Sequence, residues 1–431
     1  MFKRNPMRVC MLVTTDIIND PRVMKEATAL AQEGYAVQVI GSCPTGTEPV
    51  NEIFANVGIQ RLDLWHTRFS RWVKSRRGRP LTERLFDVAS SPKVQPKLGW
   101  RSWLLQMLHQ VHFVVDLLTV LWAYFFAAWR QQADVYHAHD VDTLLPALLV
   151  GWWCKKPVVY DSHEYWYQQS RNKVIINSII RWIERIGTPR CTHVFAVNRS
   201  IAERMAMHYS IAVPTVLMNV PADVPLQPPT PLSDECPIEL LYHGGYLAKR
   251  GLESLITAMT LVKAPVHLTM RGYGDLELTL KAQVESLGLQ AKVAFAPPVP
   301  MRELCQAAST SQIGIIPYTK QVAEFALPNK IFEYMAAGLA LIANDLVEFR
   351  NIVIGHQLGV VCDADCVEAI AQAIDELASD RIRLEQCRQR AWQVYQEHYT
   401  WKQHQRVLLD VYAQLSPSKA LFKTNNLSVL K

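Results

Sequence analysis

Short apolar segments alternate with amphipathic helical segments along most of the chain, and this alternation restricts the possible folds more than any other feature. Strands that are apolar along their whole length are buried on both faces, as happens when helices cover both sides of a parallel sheet. The sequence therefore predicts the α/β class, with doubly wound parallel sheets. In the first half the alternating segments include RVCMLVT, PRVMKEATALAQEG, AVQVIGS, DVYHAHD and PVVYDSHE.

A proline-rich stretch divides this pattern into two series. Residues 221–237 contain six prolines and show no periodicity, which is typical of a linker. At 431 residues the chain also exceeds one ordinary hydrophobic core. We predict two Rossmann-like domains, residues 1–220 and 238–395, that face a cleft and bind ligands at the carboxyl ends of their strands. A closing helix at 396–415 and a tail at 416–431 complete the prediction.

Composition restricts the cellular setting. With 49% hydrophobic and 19% charged residues, the chain has the balance of a globular protein. It has nine cysteines, an odd number, and no C-x-x-C pair, which favours a reducing compartment over a disulfide framework or a zinc site. Its first apolar run, VCMLVTT, is too short for a signal-peptide core. These features predict a cytoplasmic protein.

A basic segment and an apolar segment form an insertion at residues 68–129 of the first domain. Six basic residues and two aromatic residues lie in RFSRWVKSRRGR, residues 68–79. Such a segment suits an anionic membrane surface, an anionic acceptor or nucleic acid, and a solvated loop is the plain alternative. The apolar run at 103–129 is long enough to span a membrane, but Asp116 lies at its centre. We predict peripheral binding to the inner face of the cell membrane, without crossing and without nucleic acid.

The stretch ALPNKIFEYMAAGLALIAND, residues 326–345, combines a short helix with a following strand. At 100° per residue its side chains Asn329, Lys330 and Glu333 cluster on one face, which we predict to point away from the core. The positive end of a helix attracts phosphate, and a carboxylate one turn later can accept hydrogen bonds from a ribose diol. A capped helix with solvated side chains is the alternative.

A glycine-rich loop in the second domain has the features of a diphosphate site. In HGGYLAKRG, residues 243–251, a strand ends and a helix begins. Gly244 and Gly245 permit close approach of the backbone, and Lys249 and Arg250 supply positive charge beside a helix terminus. The loop is neither a Walker motif nor a G-x-G-x-x-G fingerprint.

Taken together, these segments resemble the GT-B glycosyltransferases, specifically family 4 (group 1), and their order and spacing carry the resemblance over nearly the whole chain. The "PNK" form of the loop resembles one subgroup of the family. The resemblance implies a retaining enzyme that uses a nucleotide-diphosphate sugar as donor and needs neither a cofactor nor a metal ion.

The family signature is a pair of glutamates eight positions apart. The resemblance implies that Glu333 is the second of them and binds the ribose hydroxyls. Phe325 stands where the first, sugar-contacting glutamate is expected, and Glu324 lies one position away. Gly245 stands where the family carries an arginine, so the resemblance leaves Arg250 and Lys330 as the phosphate-binding cations.

Four polar residues of the first domain are candidates for acceptor binding or catalysis. Asp20 and Arg22 could contact the acceptor or cap a helix, and we favour capping for Asp20. His139 and His163 end two strands, and the resemblance implies that His163 faces the reacting sugar as a catalytic residue. A structural histidine is the alternative for both.

An Asp-x-Asp sequence formed by Asp140 and Asp142 lies in the first domain, away from the phosphate loops. We interpret it as helix capping and not as a metal site.

These interpretations together predict a retaining, metal-independent glycosyltransferase. Its acceptor would be a glycan or lipid-linked glycan of cell-surface polysaccharide or glycolipid synthesis. No carboxylate nucleophile stands out, so no covalent intermediate is predicted. Two alternatives remain open: a nucleotide-sugar 2-epimerase of the same fold, and a non-catalytic, membrane-docked GT-B subunit.

Overall fold

A computed structural model gives the fold of the chain and divides it into two compact units. The first unit comprises Met1–Ala196, Ala202–Thr215 and Leu408–Lys431, and the second comprises Val197–Ile201 and Val216–Val407. Each unit is built around one sheet. The structure describes residues 6–15, 17, 20–42, 51–62, 118–163, 174–222, 227–232, 236–320, 325 and 327–415.

The first unit contains an eight-stranded sheet with the order β3-β4-β2-β1-β5-β6-β7-β8. Its strands are β1 (Arg8–Leu12), β2 (Ala36–Ser42), β3 (Asn51–Phe54), β4 (Val57–Leu62), β5 (Val135–His139), β6 (Val158–Ser162), β7 (His193–Ala196) and β8 (Thr215–Val216). Its helices are α1 (Pro21–Gln32), α2 (118–131), α3 (Val141–Cys154), α4 (Val174–Gly187) and α5 (Arg199–Tyr209), and a 3₁₀ turn covers Thr188–Arg190.

The second unit contains a six-stranded sheet with the order β11-β10-β9-β12-β13-β14, and its paired strands are all parallel. The strands are β9 (Ile238–His243), β10 (Val266–Arg271), β11 (Val293–Ala296), β12 (Ile313–Ile316), β13 (Ala340–Asn344) and β14 (Gly359–Cys362). The helices are α6 (Leu252–Ala258), α7 (Glu277–Ser286), α8 (Leu304–Ala308), α9 (Lys330–Ala336), α10 (Val347–Phe349), α11 (Val367–Ser379) and α12 (Arg381–His398). A last helix, α13 (Trp401–Leu415), begins in the second unit and belongs to the first unit from Leu408 onward. Short turns cover Met301–Glu303 (3₁₀) and Arg350–Ile354 (π).

One strand pair departs from the predicted parallel pattern. β3 and β4 pair antiparallel at the edge of the first sheet, whereas β1 pairs parallel with both β2 and β5. The hairpin turn consists of Ala55 and Asn56, whose φ angles are +50° and +64°. Two consecutive positive φ angles match the twist of a two-residue hairpin, and asparagine tolerates this conformation.

The C-terminal helices differ slightly from the predicted closing helix. α12 ends at His398, and α13 begins at Trp401 and continues to Leu415. Tyr412 on α13 is fully buried, and its hydroxyl lies 2.8 Å from Nδ1 of His137 on β5. The last helical turns therefore complete the core of the first unit.

The predicted insertion is described only at its end. Residues 63–117 lie outside the described ranges, and α2 covers the rest. The Tyr124 hydroxyl on α2 donates a 2.7 Å hydrogen bond to the Val13 carbonyl, whereas Trp122 and Phe126 are exposed. Among the residues that the structure describes, no helix combines the length and apolar character needed to cross a membrane.

Candidate functional site

The glycine loop after β9 brings two cations close to its backbone. The Gly244 N–H donates a 2.9 Å hydrogen bond to the Arg271 carbonyl, and its φ is +131°, a conformation that favours glycine. A Cβ atom at Gly244 would lie 2.9 Å from Nζ of Lys330 and 3.8 Å from Nη1 of Arg250. The missing side chain of Gly244 therefore leaves room for the Lys330 ammonium.

Lys330 is buried, which corrects the prediction that its side chain points away from the core. Only 5% of the residue is exposed, and Nζ lies 4.0 Å from the Tyr242 ring centre and 5.0 Å from that of Tyr318. Burial lowers the pKa of the ammonium well below its ordinary value, and the Arg250 charge lowers it further, with partial opposition from Glu333. Within the described part of the chain Nζ has no hydrogen-bond partner. Buried donors without acceptors are costly, so this ammonium is suited to an anionic ligand.

Arg250 is the second cation of this site. Its Nη1 donates a 2.7 Å hydrogen bond to the Tyr318 hydroxyl, and the guanidinium lies 4.9 Å from the ring centre. Gly251 follows with φ +69°, and a Cβ there would lie 1.9 Å from the Pro317 carbonyl oxygen. The loop is thus packed closely against the end of β12, which fixes the backbone that carries Arg250.

The other residues predicted for this site on the loop and the helix are less buried than Lys330. Lys249 is exposed, and its carbonyl accepts hydrogen bonds from the backbone N–H and hydroxyl of Thr319. Gly245 does not need a glycine-specific conformation, since a Cβ there would make ordinary contact with Leu247 at 3.4 Å. Asn329 precedes the first residue of α9 and makes no side-chain cap bond.

Glu333 has a partner that the sequence analysis missed. Its Oε2 lies 2.6 Å from Nε2 of His243, the last residue of β9. A signal was available, because a histidine ends this largely apolar strand directly before the glycine pair. The structure thus brings the predicted ribose-binding carboxylate to the end of the strand that precedes the predicted diphosphate loop.

The position of the missing first glutamate is occupied by a buried aromatic residue. Phe325 is 5% exposed, and its carbonyl accepts a 2.8 Å hydrogen bond from Nδ2 of Asn198. Glu324 lies outside the described residues.

Arg22 and His139 are buried in the first unit, which corrects their prediction as acceptor contacts. Nε and Nη2 of Arg22 donate hydrogen bonds of 2.7 and 2.6 Å to the two carboxylate oxygens of Asp161. Arg22 is 3% exposed and His139 is 1% exposed. Although burial alone would raise the pKa of Asp161, Arg22 and His163 hold it well below its ordinary value. This bidentate pair is a structural anchor between α1 and β6.

His163 lies at the end of this network with both ring nitrogens beside carboxylates. Its Nδ1 is 3.2 Å from Oδ2 of Asp140, and its Nε2 is 3.0 Å from Oδ2 of Asp161. Burial opposes protonation, but these two carboxylates outweigh it and raise the pKa of His163 to about 9. At neutral pH His163 is therefore an imidazolium, which can stabilise negative charge or donate a hydrogen bond but cannot act as a general base.

The two aspartates predicted to cap α3 accept other hydrogen bonds. Asp140 makes no side-chain cap bond, and its Oδ1 instead accepts a 3.0 Å hydrogen bond from the backbone N–H of His163. Asp142 accepts a 3.3 Å hydrogen bond from the Thr14 hydroxyl. Capping occurs at Asp20, whose side chain accepts a hydrogen bond from the Val23 N–H at the start of α1.

Four buried side chains in the described part of the first unit have the spacing of a metal site: Glu26, His137, His139 and Asp161. Arg22 already binds both oxygens of Asp161, and its Nε lies 3.2 Å from Oε1 of Glu26. Burial and the Asp161 charge raise the pKa of Glu26 well above its ordinary value. A divalent cation would have to displace the guanidinium, so we interpret the group as a charge-compensated ion network.

Comparison with known proteins agrees with this architecture. Residues 20–219 match the family "Glycosyl transferase 4-like domain", and residues 225–394 match the family "Glycosyl transferases group 1". Over 390 residues the chain is 23% identical to glycogen synthase of Mycobacterium tuberculosis, which covers 87% of this chain and 86% of the relative. It is 22% identical over 279 residues to GDP-mannose:cellobiosyl-diphosphopolyprenol alpha-mannosyltransferase of Xanthomonas campestris, covering 63% and 72% of the two chains.

Solved structures show the same fold at lower identity. Sucrose-phosphate synthase from Thermosynechococcus elongatus superposes with a TM-score of 0.70 and 15% identity over 95% of this chain and 99% of the other. The Anabaena protein HepE in complex with UDP-glucose gives a TM-score of 0.62 and 11% identity over 95% and 100%. The fold is GT-B, which confirms the predicted fold class. The chain belongs to the group 1 glycosyltransferases, and its enzyme class is glycosyltransferase.

Proposed function

We propose that this protein is a retaining glycosyltransferase whose second unit binds a nucleotide-diphosphate sugar. The observation that carries the proposal is the buried Lys330 ammonium, which has no hydrogen-bond partner in the described chain and lies beside Gly244 and Arg250. An unpaired buried cation next to a second cation is unfavourable in an empty site. A diphosphate supplies the oxygens and the negative charge that both cations need.

The same cations provide the chemistry of the leaving group. When the bond from the sugar to the diphosphate breaks, negative charge develops on the phosphate oxygen. Arg250 and Lys330 are held in a largely buried site, where prepositioned charges stabilise a developing anion more strongly than in water. We therefore propose that no divalent cation is needed. In the family mechanism, which we adopt, the acceptor hydroxyl attacks on the face from which the phosphate departs, and the hydroxyl proton passes to the departing phosphate oxygen.

The first unit is the proposed acceptor-binding unit. The imidazolium of His163 is suited to hydrogen bonding with a sugar hydroxyl or a phosphate oxygen. The basic segment at 68–79 supports an anionic membrane as the place of action. The similarity to a mannosyltransferase that acts on a diphosphopolyprenol supports a glycan or lipid-linked acceptor in cell-surface polysaccharide or glycolipid synthesis.

A screen of nucleotide sugars by thermal shift, followed by turnover measurements, tests the donor proposal. We expect one nucleotide sugar to stabilise the protein and to be slowly hydrolysed without acceptor, and we expect this activity to persist in EDTA. Glu333→Ala should weaken binding of the matching nucleotide diphosphate by about 1.5–3 kcal/mol, the scale of a hydrogen bond to a charged group. Activity that disappears on chelation and returns with magnesium or manganese would overturn the metal-independent mechanism.

A non-catalytic, nucleotide-binding subunit is the second candidate. Phe325, buried where the family carries its sugar-contacting glutamate, favours it. Tight binding of a nucleotide diphosphate, with neither hydrolysis nor transfer for any nucleotide sugar in the panel, would establish this candidate in place of the enzyme.

A further inference from the structure

His243 is held in one orientation by the elements around it. It is the last residue of β9 and is 2% exposed. Its backbone N–H donates a 3.0 Å hydrogen bond to the Tyr334 hydroxyl, and its ring centre lies 4.6 Å from that of Tyr334. A side chain on a strand with a packed ring moves little, so its Nε2 is a fixed point in the site.

The chemistry of the His243–Glu333 pair indicates which atom donates the hydrogen bond between them. A carboxylate oxygen accepts hydrogen bonds, so we assign Nε2 of His243 as the donor of the 2.6 Å contact with Oε2 of Glu333. The other nitrogen, Nδ1, is buried and has no hydrogen-bond partner in the described part of the chain. An unsatisfied buried nitrogen is costly. Despite this cost, the ring is oriented so that Nε2, the nitrogen that faces Glu333, is the one that is hydrogen-bonded.

We propose that His243 is a positioning residue that makes the donor site selective for ribonucleotides. It binds one oxygen of Glu333, Oε2, and leaves Oε1 for the ribose hydroxyls. This inference rests on the proposed nucleotide-sugar site and adds the residue that orients its ribose-binding carboxylate.

The local charges show why Glu333 needs such a partner. Glu333 lies three residues after Lys330 on α9, a spacing at which oppositely charged side chains attract each other. Without His243, the carboxylate would be free to turn toward the Lys330 ammonium. Such a turn would remove both the ribose contact and part of the positive charge that the diphosphate needs.

The test compares a nucleoside diphosphate with its 2′-deoxy counterpart by calorimetry. The base is the one that binds wild type best among UDP, GDP and ADP. We expect wild type to prefer the ribonucleotide by about 10- to 150-fold, the range for hydrogen bonds to a charged group. His243→Leu should reduce this preference to about twofold or less and leave the affinity for the 2′-deoxynucleotide within a few-fold of the wild-type value. His243→Gln should keep the wild-type preference for the ribonucleotide. The glutamine amide nitrogen can donate from nearly the same place as Nε2.

Other outcomes distinguish failure of the proposed His243 role from failure of the proposed function. A ribose preference that survives in His243→Leu, or an equal loss of affinity for both nucleotides, would mean that His243 only packs the site. Equal binding of both nucleotides by wild type would refute the diol contact and leave diphosphate binding intact. No binding of any nucleoside diphosphate would refute the proposed function itself. If the leucine variant does not fold, His243→Asn replaces it with the same expected loss, because its shorter amide does not reach Oε2.

Discussion

Replacing Lys330 by methionine should stabilise the empty protein and impair its nucleotide site. Methionine has nearly the length of lysine without its charge, so it can lie against the same Tyr242 and Tyr318 rings. The wild-type ammonium is 5% exposed and has no hydrogen-bond acceptor in the described chain. Its removal therefore relieves a desolvation penalty and breaks no hydrogen bond.

The size of the stabilisation follows from two opposing terms. Replacing buried ionic groups by apolar ones of similar volume has stabilised proteins by about 1–4 kcal/mol. The contact of Lys330 with the aromatic rings offsets about 1–2 kcal/mol of that gain. At the middle of both ranges a net gain of about 1 kcal/mol is left, which should raise the melting temperature by roughly 2–4 °C for a domain of about 200 residues.

The pH dependence has a definite sign. Because burial lowers the pKa of Lys330 in the folded protein, the unfolded chain binds more protons between that pKa and the ordinary value of about 10.4. The lysine's contribution to stability therefore rises with pH across this interval, and the methionine variant should lack that rise. Diphosphate binding should raise this lowered pKa again, so calorimetry in buffers of different ionisation enthalpy should show proton uptake at a pH between the pKa values of the empty and the bound protein.

Nucleotide binding should change in the opposite direction from stability. Loss of one charge-assisted contact should weaken nucleoside diphosphate affinity by about 1.5–3 kcal/mol, or roughly 10- to 150-fold. Lys263→Met is the matched control, because Lys263 is an exposed lysine of the same unit. It should change neither the melting temperature nor the affinity appreciably. A Lys330→Met protein that melts lower than wild type and keeps full affinity would refute the reasoning.

Three further predictions concern other parts of the molecule. Gly244→Ala should weaken diphosphate binding at least tenfold, because its φ of +131° strains any side-chain-bearing residue and its Cβ would displace the Lys330 ammonium from 2.9 Å away; Gly245→Ala should be mild, and calorimetry distinguishes them. Asp140→Asn should lower the pKa of His163 from about 9, measured by NMR of the imidazole; the stability that this raised pKa supplies is complete below about 6.5 and lost as pH rises through about 9. An unchanged titration would remove Asp140 as a cause. Finally, the protein should sediment with anionic vesicles and be released by high salt or by neutralising residues 76, 77 and 79, since basic residues near such a surface contribute about 1 kcal/mol each. Release only by detergent would indicate an inserted segment instead.

The sheets and their order along the chain were predictable because their signal is local. β12 and β13 are buried at every residue, and their sequences IGII and ALIAN are apolar except at the final asparagine. The β3–β4 hairpin was missed, although Asn56 carries a recognisable turn signal. The core elements of each unit could therefore be derived from pattern alone, whereas an edge hairpin required turn chemistry.

The contacts of the site were less predictable because they join distant residues. Helical periodicity assigned Lys330 to a polar face, but Tyr242 and Tyr318 from two other segments cover it. Arg22 and Asp161 are 139 positions apart, and no local pattern indicates their pairing. Residue identity thus indicated which side chains of the second unit lie near one another, while their burial and their partners depended on the tertiary structure.

The position of Tyr412 has a consequence for how the chain is synthesised and folded. Its hydroxyl contacts His137, 275 positions earlier. After the second unit, the chain returns to the first unit only at Leu408. A ribosome that adds about 5–20 residues per second therefore needs roughly 10–40 s after the end of β8 to deliver this helix. During that interval the nascent first unit lacks part of its own core. Its final folding step consequently follows synthesis of the entire second unit.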